Sequence, residues 1–295
     1  MAIDSRRFAG APISWGVCEV PGWGQQLGPS RVLGEMRRLG LSATELGPVG
    51  YLGDDGAAIR ELLDAHGLRA VGGFVPLVLH DLNQRESMKS YARNYARLLS
   101  EVGATRFVTA VVADEAWSEP PAMDEVLWRN LCEGLALVEE ICADSGLVQV
   151  LHPHAGTLVE TADEVEEVLA RSDVRWCLDT GHLTIGGVDP VAFAKSNADR
   201  VGLVHLKDVK ADIAARLRRG ELSLLDATRE GLFCSLGGGD VPVGDAVSEL
   251  EHAGYQGFYV LEQDLTIDPS LAAQDVRPAD DVEASLAYLR SLGAS

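Results

Sequence analysis

The sequence is poor in positive charge. Its 295 residues hold 25 Lys and Arg against 45 Asp and Glu, a net charge of -20. Nucleic acid is bound through basic faces that neutralise phosphates, so the balance argues against that partner. Long apolar runs are missing too. No stretch reaches the roughly 20 residues that span a bilayer, and no basic-then-apolar leader is present. A cytoplasmic protein with no membrane partner is expected. Cysteine is scarce. Cys18, Cys132, Cys142, Cys177 and Cys234 are odd in number and lack CxxC spacing, so a disulfide framework is not expected. Cys132 and Cys142 fall in a helical pattern and Cys177 in a strand, which reads as packing. Cys18 is left open. Phosphate-binding signatures are absent as well. The first strand leads into Trp15-Gly16-Val17-Cys18, which is no dinucleotide fingerprint, and no Lys-Ser/Thr follows the Gly237-Gly238-Gly239 triplet.

What is present is a regular alternation. The hydrophobic share is 46%, enough for a substantial core. Strands are expected at Ala11–Trp15, Ser42–Leu46, Leu68–Val75, Arg106–Val112, Leu147–Val150, Val174–Leu178, Arg200–Val204 and Gly257–Leu261. Segments of helical spacing separate them, several closed by a glycine, as at Gly40, Gly67 and Gly103. Thr161 and Glu164 have capping-box spacing, and Asp189-Pro190 opens a short helix. Ala211–Gly231 reads as an inserted helical excursion, and Gly237–Asp240 as a flexible loop. Alternation of this kind argues a parallel sheet, and eight units over residues 1–295 argue one domain, a (β/α)8 TIM barrel. An open doubly wound sheet is the runner-up.

Four successive strands end in a His or a carboxylate. Leu147–Val150 leads to His152-Pro153-His154, Val174–Leu178 to Asp179-Thr180-Gly181-His182, Arg200–Val204 to His205-Leu206-Lys207-Asp208, and Gly257–Leu261 to Glu262-Gln263-Asp264. An unpaired carboxylate at the end of an apolar strand is costly, so Asp179 reads as a ligand before it reads as a helix cap. His205 and Glu262 are placed in the same way. His152 and His154 are expected on opposite sides of their strand, with one facing the barrel axis unless Pro153 releases the register. His182 is within reach of the same centre. His66 and His252 read as helix-end residues, and His80 is unassigned.

The motifs Ala11-Pro12-Ile13-Ser14-Trp15-Gly16, Glu45-Leu46-Gly47-Pro48-Val49-Gly50-Tyr51, His152-Pro153-His154-Ala155-Gly156-Thr157, Asp179-Thr180-Gly181-His182 and His205-Leu206-Lys207-Asp208-Val209 resemble the inosose (2-keto-myo-inositol) dehydratase family. That family belongs to the xylose isomerase-like TIM barrels. The resemblance implies one divalent metal ion held from strands five to eight, with manganese favoured. Asp179, His205 and Glu262 match the superfamily's ligands. The strand-five glutamate has no match; His152 stands in its place, and Glu160 is a second candidate. The resemblance also implies catalytic or substrate-binding roles for Trp15, Glu45, His154, His182, Lys207 and Glu262.

These residue types suit Mn²⁺, Mg²⁺, Co²⁺ or Zn²⁺. An ion chelated by a ketone and the neighbouring hydroxyl polarises the carbonyl and acidifies the α-proton. Glu262 or one of His152, His154 and His182 would remove that proton. Elimination of a β-hydroxyl then makes the protein a lyase acting on a keto-inositol in inositol catabolism. Return of the proton makes it a ketose or hydroxypyruvate-type isomerase or epimerase. Lys207 would bind a substrate hydroxyl or stabilise the enediolate, or else pair with Asp208. A silent polyol-binding protein on the same barrel is the third expectation. In each case the partner is a small polyol or keto-sugar.

Overall fold

The computed structural model describes residues 3–20 and 22–293. Nine strands form one parallel sheet: β1 (Phe8–Gly10), β2 (Ala43–Thr44), β3 (Arg69–Ala70), β4 (Gly72–Leu77), β5 (Arg106–Val111), β6 (Val148–Leu151), β7 (Arg175–Asp179), β8 (Val201–Leu206) and β11 (Tyr259–Leu261). A separate antiparallel pair joins β9 (Asp208–Val209) to β10 (Phe233–Cys234). The sheet order is β3-β2-β1-β11-β8-β7-β6-β5-β4. Its two ends, β3 and β4, are parts of one run separated by Val71 alone. The Val71 N–H donates to Thr44 on one side, and its carbonyl accepts from Arg106 on the other. The ladder therefore closes on itself, as an eight-stranded TIM barrel does.

Helices pack around this ring with their apolar stripes inward. In α1 (Pro29–Leu39), Val32, Leu33 and Met36 are buried, and Gly40 ends the helix in the left-handed region at φ 84°. In α4 (Glu125–Asp144), Asp124 caps the Val126 and Leu127 N–H groups, and Trp128, Leu131, Leu135 and Val138 are buried at three- and four-residue spacing. The Glu164 carboxylate accepts from the Thr161 N–H at 2.8 Å, so the expected capping box is present at α5 (Ala162–Arg171).

The first strand is displaced from its expected position. It covers Phe8–Gly10, and Pro12–Trp15 is a 3-10 turn. Pro12 has no N–H for a ladder, and its fixed φ suits the first position of a helix instead.

Inside the barrel, a layer of apolar side chains forms a plug. Ala9, Ala43, Val71, Val108, Val150, Cys177, Leu203 and Val260 each come from a different staves' strand and are buried. Cys177 is thus a packing residue, as expected. Strand side chains alternate with a period of two, so the next inward positions toward the C-terminal mouth are Ala11, Glu45, Ala110, His152, Asp179, His205 and Glu262, while on β4 Phe74 faces the pocket and Gly73 faces Tyr95 outside the sheet. Two of these seven positions, Ala11 and Ala110, are small, and the other five are polar or charged.

The Ala211–Gly231 excursion is two helices, α8 (Ala211–Arg218) and α9 (Leu224–Arg229), framed by the β9–β10 pair. The glycine loop beyond it is pinned where a flexible loop was expected. The buried Asp208 carboxylate accepts from the backbone N–H groups of Gly237, Gly239 and Val241 at 2.9, 3.0 and 3.0 Å. Asp208→Asn places an amide NH2 among three donors. It should lower stability by about 2–4 kcal/mol, the scale of buried hydrogen bonds to a charged group. A urea denaturation midpoint unchanged from wild type would contradict this.

Candidate active site and metal centre

Four side chains converge at the barrel mouth. His152 follows β6, Asp179 ends β7, His205 lies in β8 and Glu262 follows β11. One ligand atom from each lies within 4.8 Å of all the others, and all four residues are buried. His152 Nε2 stands 3.3 Å from Asp179 Oδ2 and 3.1 Å from His205 Nδ1. His205 Nδ1 is also 3.1 Å from Glu262 Oε2. Asp179 divides its work. Oδ1 accepts from the His182 N–H at 2.7 Å and caps α6 (Thr180–Ile185), while Oδ2 faces the cluster. Asp179 therefore caps the helix with one oxygen and leaves the other free to face the cluster, where it could serve as a ligand.

Glu45 sets the tautomer of His205. Its Oε1 lies 3.0 Å from His205 Nε2, and a carboxylate can only accept there, so Nε2 carries the proton. Nδ1 is turned toward His152, Asp179 and Glu262. Burial lowers the His205 pKa, but Cys177, Glu262 and Glu45 outweigh it and hold the ring protonated; a divalent ion would displace that proton and satisfy the two imidazole nitrogens and two carboxylate oxygens together. The donors fit a divalent metal ion. Glu160, the other candidate for the strand-five position, lies outside this group. Its carboxylate accepts from the Gly156 N–H at 2.7 Å instead.

His154 lines the same pocket as His152, against the expectation that only one would face the axis. Positions two apart on extended backbone share a side, so the pair points the same way. Their ring centroids are 5.5 Å apart. The His154 Nδ1–H donates to the Ala155 carbonyl at 2.8 Å, which leaves Nε2 as the lone-pair nitrogen. Burial, reinforced by His152 and Lys207, pushes its pKa down to about 3, so the ring is neutral.

Lys207 is the cation of the site. Its Nζ lies 3.0 Å from Glu262, 3.0 Å from Asp264, 3.4 Å from Asp179 and 2.9 Å from His182 Nε2. Burial pushes its pKa down, but Asp179, Asp264 and Glu262 outweigh that and hold it well above the usual lysine value. The pairing with Asp208 expected as the plain alternative is absent, since Asp208 serves backbone N–H groups. Burial also raises the Asp179 carboxyl, but Lys207 and the two histidines bring it down to about 2.

His182 is fully enclosed behind Lys207 and does not line the pocket. Burial, reinforced by His154 and Lys207, holds its pKa well below the usual imidazole value, so the ring is neutral, and one of its two nitrogens accepts, Nδ1 from the Ala155 N–H or Nε2 from the ammonium. Its Nε2 faces the Lys207 ammonium at 2.9 Å. Trp15 is also placed away from the pocket. Its ring is fully buried, and its indole N–H donates to Glu35 in α1 at 2.8 Å. The 3-10 turn at Pro12–Trp15 rotates it out of the barrel.

Three features were not anticipated. Asp264 lines the pocket beside Lys207, and burial, aided by Glu262 and Asp179, raises its carboxyl to about 6. Its two-residue offset from Glu262 was the available signal. Trp117 stacks on Phe74 at 6.2 Å and meets His154 edge-on at 5.7 Å. It has the positive φ of 57°, rare for a bulky residue. Leu224 and Leu225 of α9 close the pocket from the excursion. The pocket encloses about 1050 Å³ with its open mouth. Cys18 lines it, and burial together with Glu19 raises its thiol far above the usual range, which keeps it protonated.

The family described as xylose isomerase-like TIM barrel matches residues 33–292. An inosose dehydratase of Geobacillus kaustophilus is 31% identical over 282 residues, covering 92% of this chain and 90% of that protein. The solved IOLI protein with a bound zinc atom superposes with a TM-score of 0.72 at 13% identity, covering 98% of each chain. A probable 3-DHS dehydratase from Bacillus anthracis, AsbF, gives a TM-score of 0.74 at 15% identity, covering 96% of this chain and 98% of that one. The chain belongs to the inosose dehydratase family of the xylose isomerase-like TIM barrels. Among the described residues, no helix is long and apolar enough to cross a membrane.

Glu45 should behave as an orienting partner of a ligand. Glu45→Gln is expected to weaken Zn²⁺ or Mn²⁺ affinity by about 10–100-fold, the usual effect of removing such a partner. Isothermal titration with the metal alone measures this, and an unchanged affinity would remove the assignment.

Proposed function

We propose that this protein is a metal-dependent lyase that dehydrates a keto-inositol, 2-keto-myo-inositol by analogy with the relatives' printed activity. The observation that carries the reading is an unlike acid–base pair beside the four-ligand cluster. His154 offers a neutral imidazole with Nε2 open, and Asp264 a carboxyl held at about 6. His152, Asp179, His205 and Glu262 would hold the ion. When bound, it would polarise the substrate carbonyl and make the α-proton acidic. Two imidazoles with two carboxylates accept zinc, manganese or cobalt, and the related IOLI structure carries zinc.

The chain's own groups then divide the proton work. His154 Nε2 takes the α-proton. Burial disfavours the imidazolium, but the negative charge growing on the substrate oxygen offsets that cost as the proton moves. The Lys207 ammonium faces the same oxygen region and adds positive charge there. Asp264, whose pKa of about 6 leaves about a tenth of it protonated at pH 7, gives its proton to the β-hydroxyl, which leaves as water. Phe74 and Trp117 wall the pocket on the side of His154 and keep water from that face.

An epimerase needs matched bases on two faces of one carbon. An imidazole and a carboxyl at neighbouring positions suit β-elimination better. In deuterated water, 2-keto-myo-inositol with Zn²⁺ or Mn²⁺ should lose water to a new dione or enol, followed by NMR. His154→Ala should keep the metal and lose about 10²–10⁴-fold in kcat, the usual contribution of a general base. Exchange of the α-proton without elimination would move the assignment to an isomerase. No exchange at all would remove the proposed function.

A further inference from the structure

Each of the four proposed ligands has a companion further along the chain and nearer the barrel mouth. His154 follows His152 by two residues, Lys207 follows His205 by two, and Asp264 follows Glu262 by two; His182 follows Asp179 by three. The companions form a second tier above the first. Three of them, His154, His182 and Asp264, bring ligand atoms within 4.8 Å of one another, which is itself a metal-ligand constellation. At zinc bond lengths of about 2.0–2.2 Å, ligand atoms on one ion stand at most about 4.4 Å apart. A contraction of a few tenths of an ångström would suffice.

The fourth companion is a lysine, and its ammonium reaches into this set. Nζ lies 2.9 Å from His182 Nε2 and 3.0 Å from Asp264 Oδ1. It also touches Glu262 and Asp179, the two carboxylates of the lower tier, at 3.0 and 3.4 Å. A second metal ion bridging the two tiers would need those same contacts. We infer that the Lys207 ammonium is the built-in cation of a second ligand set, and that it confines this protein to one divalent ion where the side chains would otherwise hold two.

The charges agree. One divalent ion and one ammonium balance the three carboxylates that Lys207 touches, Asp179, Glu262 and Asp264, the last mostly ionised at neutral pH, while Glu45 serves His205. Without the ammonium, one carboxylate is unmatched, and two imidazoles beside it are free to coordinate. An ammonium differs from an ion in one useful respect: it donates hydrogen bonds in place of accepting ligands, so it leaves no open coordination position for a second water. The inference rests on the metal part of the reading above and is independent of the reaction.

The test counts metal. Wild type, Lys207→Met and the double variant Lys207→Met, Asp264→Asn are loaded with Co²⁺, dialysed and measured by elemental analysis and visible absorption. We expect about one ion in wild type, about two in Lys207→Met and about one again in the double variant, with the second cobalt adding its own tetrahedral bands. Far-ultraviolet circular dichroism checks that each variant is folded. One ion in both wild type and folded Lys207→Met overturns the inference alone. No ion in wild type overturns it together with the metal reading. If Lys207→Met does not fold, wild type in excess Zn²⁺ decides: a second ion that Asp264→Asn abolishes overturns the inference, and a single ion retained by Asp264→Asn supports it.

Discussion

The two-residue period of extended backbone governs this molecule. It stacks the barrel interior in layers, and each layer inherits its register from the one below. Val150, Cys177, Leu203 and Val260 close the barrel with apolar bulk. The residues two further on are His152, Asp179, His205 and Glu262. A plug of buried side chains thus fixes the height and direction of four polar ones. On the neighbouring strand the same layer carries Ala11, a small residue that lines the pocket. The polar residues of this layer, with Ala11 and Phe74, make a cavity with chemistry on one wall.

Burying so many ionisable groups is unfavourable unless each is matched. The structure matches them through shared atoms. Asp179 uses one oxygen on a helix N-terminus and keeps the other for the cluster. His205 donates outward to Glu45 and turns Nδ1 inward. Lys207 stands between the two tiers and is held charged by three carboxylates. The histidines beside it are consequently neutral, because burial and the ammonium act in the same direction on them. Neutral imidazole is the form that coordinates a metal or accepts a proton. The electrostatics of the lysine and the chemistry of the histidines are one arrangement.

The barrel and the four strand-end residues were legible in the sequence, since apolar runs ending in His, Asp or Glu are a one-dimensional pattern. What was harder to read came from the third dimension. The His152–His154 pair was expected to split across the strand, whereas a two-residue offset keeps both on one side. The same offset would have located Asp264 beside Glu262. Trp15 sits in a motif near the site, yet the turn imposed by Pro12 sends it into the helical layer. Trp117 left no signal at all. It lies in an acidic, proline-rich loop, and only the fold brings it against Phe74 and His154. A pocket wall supplied by a loop depends on where that loop is anchored, and local composition does not encode that.

The stretch His205-Leu206-Lys207-Asp208 concentrates these rules in four residues. His205 and Lys207 face inward, one in each tier. Asp208 is offset by one and faces the other way, where it gathers the N–H groups of Gly237, Gly239 and Val241. An ion pair between Lys207 and Asp208 would require neighbours on opposite sides to meet, which the pleat forbids. The alternation therefore does two things at once. It delivers a ligand and a cation to the site, and it places on the outer side the carboxylate that ties down the loop after the α8–α9 excursion. That excursion closes the pocket with Leu224 and Leu225. The roof of the site and its floor are consequently fastened to the same few residues of one strand, so a change in that strand's register would disturb both together.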